Sequence, residues 1–148
     1  MKIEGSHTLA APRERVFQAL TNPATVAKLL PGCETLAPAG ADTFRVKMKL
    51  GLAALSGAYE GTVKLSEQRP PEHLRLSVAS RGPWGFAEGE GALDLVEQGG
   101  KTEVRYAGEL KVGGMIASVG QRLLDAAARM VINQFFQSLE RETAGISR

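Results

Sequence analysis

An alternation of apolar and polar residues with a period of two runs through the middle of the chain. The segment 43–50 reads TFRVKMKL, with an apolar residue at every second position. This alternation is typical of an antiparallel strand that buries one face. Similar segments are found at residues 3–9, near Thr35 and Leu36, and at residues 55–67, 73–80, 84–96 and 102–112. Because turns containing Gly or Pro separate the longer segments, we predict about seven strands in an antiparallel meander.

The apolar positions take a helical spacing near both ends of the chain. Pro12 stands where the first turn of a helix tolerates proline, and Asn22-Pro23 ends this short helix. A second short helix is predicted over residues 25–30. After Gly113-Gly114 the helical spacing continues to about residue 143, which predicts a helix of about 40 Å that covers one face of the sheet. Its predicted inner face is Ile116, Val119, Leu123, Ala127, Met130, Val131, Phe135 and Leu139.

Six glycines recur at even spacing on single faces of the predicted strands: Gly57, Gly61, Gly85, Gly89, Gly91 and Gly108. Glycine inside a strand usually marks a bend or a place where something approaches the backbone closely. The glycines therefore indicate either sheet curvature alone or an internal apolar cavity that missing side chains leave open. The expected ligand-binding walls of such a cavity are Met48, Leu50, Leu55, Tyr59, Trp84, Phe86, Met115, Val119 and Leu123.

The composition limits which classes of protein the sequence can encode. A length of 148 residues with 43% hydrophobic and 23% charged residues predicts a single globular domain over residues 1–148. The formal net charge is only +2 and the basic residues are scattered, so nucleic acid is not an expected partner. One cysteine and two distant histidines predict neither a disulfide nor a metal site, and we expect no cofactor. No segment approaches the roughly 18 apolar residues that a membrane-spanning helix needs.

Few residues have the chemistry needed for catalysis. His7 is expected on an apolar strand face, where a histidine is either a core residue with satisfied hydrogen bonds or an acid-base group. Glu88 and Glu90 alternate with glycines of the apolar face, so their carboxylates are expected in solvent. Cys33 stands beside Glu34, an environment that does not favour the reactive thiolate. We therefore predict no catalytic residue.

Several short motifs resemble one known family. The order of one strand, two short helices, further strands and a long helix resembles the START/Bet v 1-like helix-grip superfamily (SRPBCC, polyketide cyclase-like). The local motifs are similar to those of the CoxG family of carbon monoxide dehydrogenase subunits, over nearly the whole chain. The resemblance implies an α+β helix-grip fold, in which a curved antiparallel sheet, two short helices and a long C-terminal helix enclose an apolar cavity. The motifs are Ala11-Pro12, Val16-Phe17, Asn22-Pro23, Leu30-Pro31-Gly32-Cys33-Glu34, Gly57-Ala58-Tyr59-Glu60-Gly61, Gly85-Phe86-Ala87-Glu88-Gly89 and Gly113-Gly114-Met115-Ile116-Ala117.

The resemblance also implies a function. The family is accessory to a molybdenum-containing carbon monoxide dehydrogenase or a related oxidoreductase and to its contact with the membrane, and its cavity is thought to hold a quinone-like lipid. We therefore expect a non-catalytic carrier of an apolar small molecule, a quinone or another lipid, and not an enzyme. Two alternatives stay open: a polyketide cyclase/dehydratase-like enzyme that uses the same cavity, and a docking subunit whose cavity is vestigial.

Contact with a membrane is expected to be transient. Longer members of the family continue past the last helix into a membrane-seeking tail, whereas this sequence stops at Arg148. The segment from Lys47 to Leu55 joins two lysines to an apolar run, which suits either an anionic lipid surface or a loop over the cavity mouth. We expect a cytoplasmic protein, or one that is peripheral at the inner face of the membrane.

Overall fold

The computed structural model describes residues 1–51 and 56–144. A sheet and three α-helices form the α+β helix-grip fold that the sequence predicts, and this prediction is confirmed. The elements in chain order are β1 (Lys2–Leu9), α1 (Arg13–Thr21), α2 (Pro23–Leu29), β2 (Cys33–Pro38), β3 (Thr43–Leu50), β4 (Gly57–Arg69), β5 (His73–Gly82), β6 (Gly85–Gln98), β7 (Lys101–Gly113), a short 3-10 helix (Gly114–Val119) and α3 (Gln121–Ala144).

The seven strands of the described residues belong to one antiparallel sheet. Their spatial order is β1-β7-β6-β5-β4-β3-β2, so the strands from β2 to β7 form a meander and β1 pairs with β7. The period of two in the sequence corresponds to the two faces of this sheet. In β3, for example, Val46 and Met48 are buried whereas Arg45 and Lys47 are exposed. The inner face therefore carries the core, and the outer face is polar.

The first two helices pack against the core at one end of the molecule. The Asn22 side chain accepts a hydrogen bond from the Ala24 N–H at 3.0 Å and so caps the start of α2. Val16 of α1 and Leu29 of α2 are almost completely buried, in the same core cluster as Leu139 of α3. Helices of nine and seven residues are not stable alone in water, so this packing is what stabilises them.

The last helix begins later than the sequence predicts. The predicted single helix is divided at Gly120, whose φ of +100° and ψ of 150° are accessible to glycine and strained for other residues. The predicted inner face also follows steps of four residues from Leu123 to Leu139, which drift around a helix of 3.6 residues per turn, so the inner face of α3 differs in part from the prediction. Met130, expected on that face, is 47% exposed, whereas Phe136, which the prediction left out, is buried.

The C-terminal half of α3 is the half that packs tightly. Its buried residues are Phe136, Leu139 and Thr143. Arg15 Nη1 donates a hydrogen bond to the Thr143 carbonyl at 3.2 Å, which ties this half to α1. Side chains of the N-terminal half, residues 121–135, are half-buried or exposed although this half crosses the sheet. A space therefore remains between that half and the sheet.

Candidate functional site

An apolar cavity of about 300 Å³ lies between α3 and the inner face of the sheet. Apolar groups form nearly all of its surface. Leu30, Pro31, Met48 and Leu50 contribute from the chain after α2 and from β3, and β1 adds Ile3. The remaining wall comes from the sheet and from the middle of α3, and includes Leu76, Val78, Leu93, Leu110, Val131, Ile132, Phe135 and Phe136.

Three of the six predicted cavity-forming glycines, Gly89, Gly91 and Gly108, lie in the cavity wall. A Cβ atom added at Gly89 would lie 3.5 Å from Leu110 Cδ1, which is an ordinary contact, so space is present there for a side chain. A Cβ atom at Gly108 would instead clash with the backbone carbonyl of Glu90, because the two strands approach closely at that point. Open space and close strand approach therefore both explain the glycines, at different positions.

The other three glycines lie away from the cavity wall. A Cβ atom at Gly61 would clash with the backbone carbonyl of Ala79 on the neighbouring strand. Gly57 and Gly85 have positive φ values of +150° and +132°, and both stand near the turn between β5 and β6. These three glycines shape the sheet, and the prediction that they open the cavity is corrected.

Two of the predicted wall residues, Met48 and Leu50, line the cavity. Tyr59 and Val119 lie instead in a separate small core around Ile116, where burial raises the pKa of the Tyr59 hydroxyl. Leu123 is half-buried and is not part of the wall. Steps of four residues exceed one helical turn of 3.6 residues, so the face traced from Leu139 back to Leu123 rotates around α3. Leu55 lies outside the described residues.

Trp84, Phe86 and Met115 also lie outside the cavity, at the end of the sheet. Trp84 Nε1 donates a hydrogen bond to the Ser56 carbonyl at 2.7 Å. Phe86 is one position out of step with the inward-facing glycines of β6, so its side chain is on the outer face, against Gly113. Met115 belongs to the 3-10 helix and is 61% exposed. The prediction that these three side chains line the cavity is corrected; with Arg81 and Pro83 they line an open groove of about 370 Å³.

The cavity has an aromatic side, of which the sequence predicts only Phe135 as facing inward. Phe135 and Phe136 meet edge to face, with ring centroids 5.4 Å apart. Tyr106 of β7 packs against Phe136 at 5.3 Å, and His7 of β1 also stacks on Phe136 at 4.9 Å. The adjacent phenylalanines and the position of Tyr106 on an apolar strand face are the signals for this side of the cavity. The sequence alone does not combine them, because tertiary packing decides how α3 is rotated about its own axis.

Three residues with polar side chains border the described cavity: Ser80, Glu90 and Tyr106. The Ser80 hydroxyl donates to the Ala87 carbonyl at 3.2 Å, so its proton is already used. Glu90 points to the outer face, where its carboxylate lies 3.7 Å from Arg75 Nη1. Ser80 and Glu90 therefore each have a protein partner, and the Tyr106 hydroxyl is the polar group of the wall for which no partner has been named.

The other residues considered for catalysis lie outside the wall. His7 is at the junction of β1 and α3, where its Nε2 is 3.9 Å from Glu140 Oε2. Glu88 is exposed, as predicted. Cys33 is half-buried and its thiol donates to the Thr35 carbonyl at 3.4 Å. Burial raises the pKa of this thiol, so the protonated, less reactive form is favoured.

A charged cluster occupies a different part of the sheet. The nearly buried His73 has Nδ1 at 2.7 Å from Asp94 Oδ1 and Nε2 at 3.3 Å from Glu67 Oε1. Arg75 Nε donates to Glu67 Oε2 at 2.7 Å, and these hydrogen bonds from Arg75 and His73 hold the pKa of the Glu67 carboxyl below its usual value. The network links β4, β5 and β6. Across residues 1–51 and 56–144, no three ligating side chains come together as a metal site.

A larger groove of about 760 Å³ is a weaker candidate for an apolar ligand. Its walls mix charges of both signs, and Glu88 and Lys111 are direct cross-strand neighbours there. Charged walls of this kind are solvated and do not favour burial of an apolar molecule. The cavity under α3 is therefore the candidate site.

The predicted membrane-contact segment lies only partly within the described residues. No helix of residues 1–51 and 56–144 has the length and apolar character needed to cross a bilayer. Lys47 and Lys49 are exposed, and Lys47 Nζ is 3.7 Å from a Glu60 carboxylate oxygen. Residues 52–55, the apolar part of the predicted contact segment, lie outside the described residues.

Comparisons with known proteins identify structures that share the fold and the family to which the chain belongs. A crystal structure of a conserved protein from Geobacillus kaustophilus is 32% identical, with a TM-score of 0.95 over 98% of this chain and 96% of that one. Proteins from Chromobacterium violaceum (16% identity, TM-score 0.74, 96% of each chain) and Thermus thermophilus (16%, 0.73, 100% of each chain) share the fold. No curated protein matches the sequence significantly. The family model of the carbon monoxide dehydrogenase CoxG subunit matches residues 5–144, and the chain therefore belongs to the CoxG family.

Proposed function

We propose that this protein binds an apolar, ring-containing molecule, a quinone or a related lipid, in the cavity under α3 and carries it without changing it covalently. The observation that carries the proposal is the cavity itself, which is almost wholly apolar and is bordered by aromatic rings of Tyr106, Phe135 and Phe136. Its volume of about 300 Å³ lies in the range of small-molecule sites. A compact ring system fits that volume, and a long hydrocarbon tail would extend beyond it.

The energetic argument favours an occupied cavity. Apolar side chains that line an unfilled space lack packing partners on that side, and this costs free energy. A ligand that fills the space recovers part of this energy, so binding is expected to raise the thermal stability of the protein.

Family membership supports the wider role. Belonging to the CoxG family suggests an accessory role beside carbon monoxide dehydrogenase, and it fits a protein that is not itself the enzyme. We propose that the partner is a molybdenum-containing carbon monoxide dehydrogenase or a related oxidoreductase, and that the carried molecule connects it with the membrane. A polyketide cyclase-like activity would need an acid or base aimed into the cavity, and no observation favours that role for Glu90, His7 or Cys33.

A transient membrane contact belongs to the same proposal. Trp84 and Met115 are 37% and 61% exposed at one end of the sheet, and the Trp84 ring donates a hydrogen bond to Ser56, which follows residues 52–55 in sequence. Exposed Lys47 and Lys49 precede that segment. Apolar side chains beside lysines suit an anionic lipid surface.

The direct test is to identify what the protein carries. The full chain is purified without detergent from a bacterial host that makes quinones, and the bound small molecules are measured by native mass spectrometry and by solvent extraction. We expect a quinone or another apolar lipid at a substantial fraction of one per chain. Gly89→Leu, which fills the cavity, should lose it, whereas the control Glu88→Leu adds the same side chain on the opposite face and should retain it. An empty wild-type protein that also fails to bind added quinone would contradict the proposal.

A further inference from the structure

We propose that the Tyr106 hydroxyl is the group that orients the ligand, by donating a hydrogen bond to an acceptor oxygen on the ligand's ring. This inference rests on the proposed function, because it assumes that the cavity binds a flat apolar molecule. It narrows the ligand of the proposed function to a ring that carries a carbonyl or ether oxygen. It also assigns a specificity-determining residue.

The hydrogen-bond pattern of the cavity wall leads to this role. Ser80 donates to the Ala87 carbonyl, and the Glu90 carboxylate is directed to Arg75 on the outer face. The Tyr106 hydroxyl has no protein hydrogen-bond partner among the residues that the structure describes. This hydroxyl is not among the fully buried side-chain atoms that lack a partner, so water reaches it when no ligand is bound. A ligand oxygen beside Tyr106 would replace that water, in a hydrogen bond that contributes about 0.5–1.5 kcal/mol.

The position of the Tyr106 ring is set by the neighbouring strand. Tyr106 is paired with Gly5 across β1 and β7, and a Cβ atom at Gly5 would lie 2.6 Å from the Tyr106 hydroxyl oxygen. The absence of a side chain at Gly5 therefore lets the tyrosine ring lie over β1. Its other neighbour is Phe136, at a centroid distance of 5.3 Å and an interplanar angle of 31°. Strand and helix together hold the hydroxyl in place.

The surroundings of Tyr106 indicate which end of the ligand lies there. Ile3, Tyr106 and Ile132 line both the apolar cavity and a polar surface groove that contains Lys2 and Arg129. Tyr106 thus stands where the apolar interior meets a polar exterior. The aromatic rings of Phe135 and Phe136 are on the same side and suit a flat ring by edge or offset contacts. The oxygen-bearing ring is therefore placed at Tyr106, and the hydrocarbon part of the ligand extends away from it.

The test compares two ligands of nearly the same shape. The first is 2,3-dimethyl-1,4-naphthoquinone, which carries two acceptor oxygens and no free position for attack by a thiol. The second is 2,3-dimethylnaphthalene, which has none. Apparent dissociation constants are measured for both by displacement of 1-anilinonaphthalene-8-sulfonate. Tyr106→Phe should weaken binding of the quinone by about 3- to 10-fold, the size of one hydrogen bond, and change binding of the hydrocarbon by less than about twofold.

Two further variants test whether the loss of affinity is specific to the Tyr106 hydroxyl. Tyr59→Phe removes the hydroxyl of the chain's second tyrosine, which lies in the separate core around Ile116, and should leave both affinities unchanged. Gly5→Ala should displace the Tyr106 hydroxyl and reproduce the selective loss. Equal weakening of both ligands by Tyr106→Phe, or no weakening of either, would overturn the assignment while leaving the carrier function intact. If the wild-type protein binds neither compound, the proposed function fails, and this inference fails with it.

Discussion

At the residue scale, Gly61 and Gly89 illustrate two physical reasons for a glycine on the inner face of a sheet. A Cβ atom at Gly61 would clash with the Ala79 carbonyl, because β4 and β5 approach closely there. A Cβ atom at Gly89 would make an ordinary 3.5 Å contact with Leu110. Gly61 is therefore required by the close approach of two strands, whereas Gly89 is required only if the space beside it binds a ligand.

This difference predicts opposite effects on stability. Gly61→Ala should destabilise the protein by about 1–3 kcal/mol, since the neighbouring strand has to move. Gly89→Ala should be neutral or stabilising by up to about 1 kcal/mol, because alanine restricts the unfolded chain and fits the folded one. Urea denaturation of the two variants and the wild type measures both changes. Equal losses in the two variants would contradict this explanation of the glycines.

The sequence allowed a prediction of the apolar face but not of the space on it. A period of two places Gly89 and Gly91 on the same face, and that much follows from strand geometry alone. Whether a glycine faces open space or a neighbouring carbonyl depends on how closely two strands approach, and no local pattern encodes that distance. Phe86 is a different case, because its parity already placed it on the outer face and its assignment to the wall contradicted that rule.

At the element scale, α3 consists of two halves with different roles. Phe136, Leu139 and Thr143 pack the C-terminal half into the core, and Arg15 adds a hydrogen bond to it. The N-terminal half covers the cavity and is only partly buried, and it follows Gly120. The C-terminal half holds the helix in place. Val131, Ile132 and Phe135, at the end of the N-terminal half, form the cavity wall together with Phe136.

A pair of identical substitutions tests this division. Leu139→Ala should cost about 2–5 kcal/mol, since Leu139 is completely buried, whereas Leu123→Ala in the half-buried part should cost less than about 1 kcal/mol. Hydrogen exchange should likewise be faster at residues 121–131 than at residues 136–143, and an added quinone should slow it at residues 131–135, which line the cavity. Uniform protection along α3, unaffected by ligand, would argue against the two-part helix.

The strands and the two short helices could be predicted because their signals are local. Alternation, Pro12 and Asn22-Pro23 are all visible within a few residues. The start of α3 could not be predicted, because Gly113-Gly114 and Gly120 are both plausible breaks and tertiary packing selects the second. Phe135 and Phe136 both lie within the uninterrupted helix Gln121–Ala144, and the predicted face includes only Phe135 because it follows steps of four residues.

At the scale of the whole molecule, α3 packs tightly against the sheet at one end and is separated from it by a cavity at the other. The packed end contains α1, α2 and the C-terminal half of α3. The separated part contains the apolar cavity of about 300 Å³. This arrangement suits a carrier, because a stable core supports a site whose cover can move without unfolding the rest.

The central claim is that a ring-containing apolar ligand binds under α3, and the most direct measurement is an amide NMR titration of the full chain. With 2,3-dimethyl-1,4-naphthoquinone as the ligand, we predict saturable shifts at Gly89, Gly91 and Gly108 and along residues 131–136. Gly89→Leu should abolish these shifts, and Glu88→Leu should not. Shifts confined to the groove around Trp84 and Met115, or no saturable shifts at all, would contradict the account.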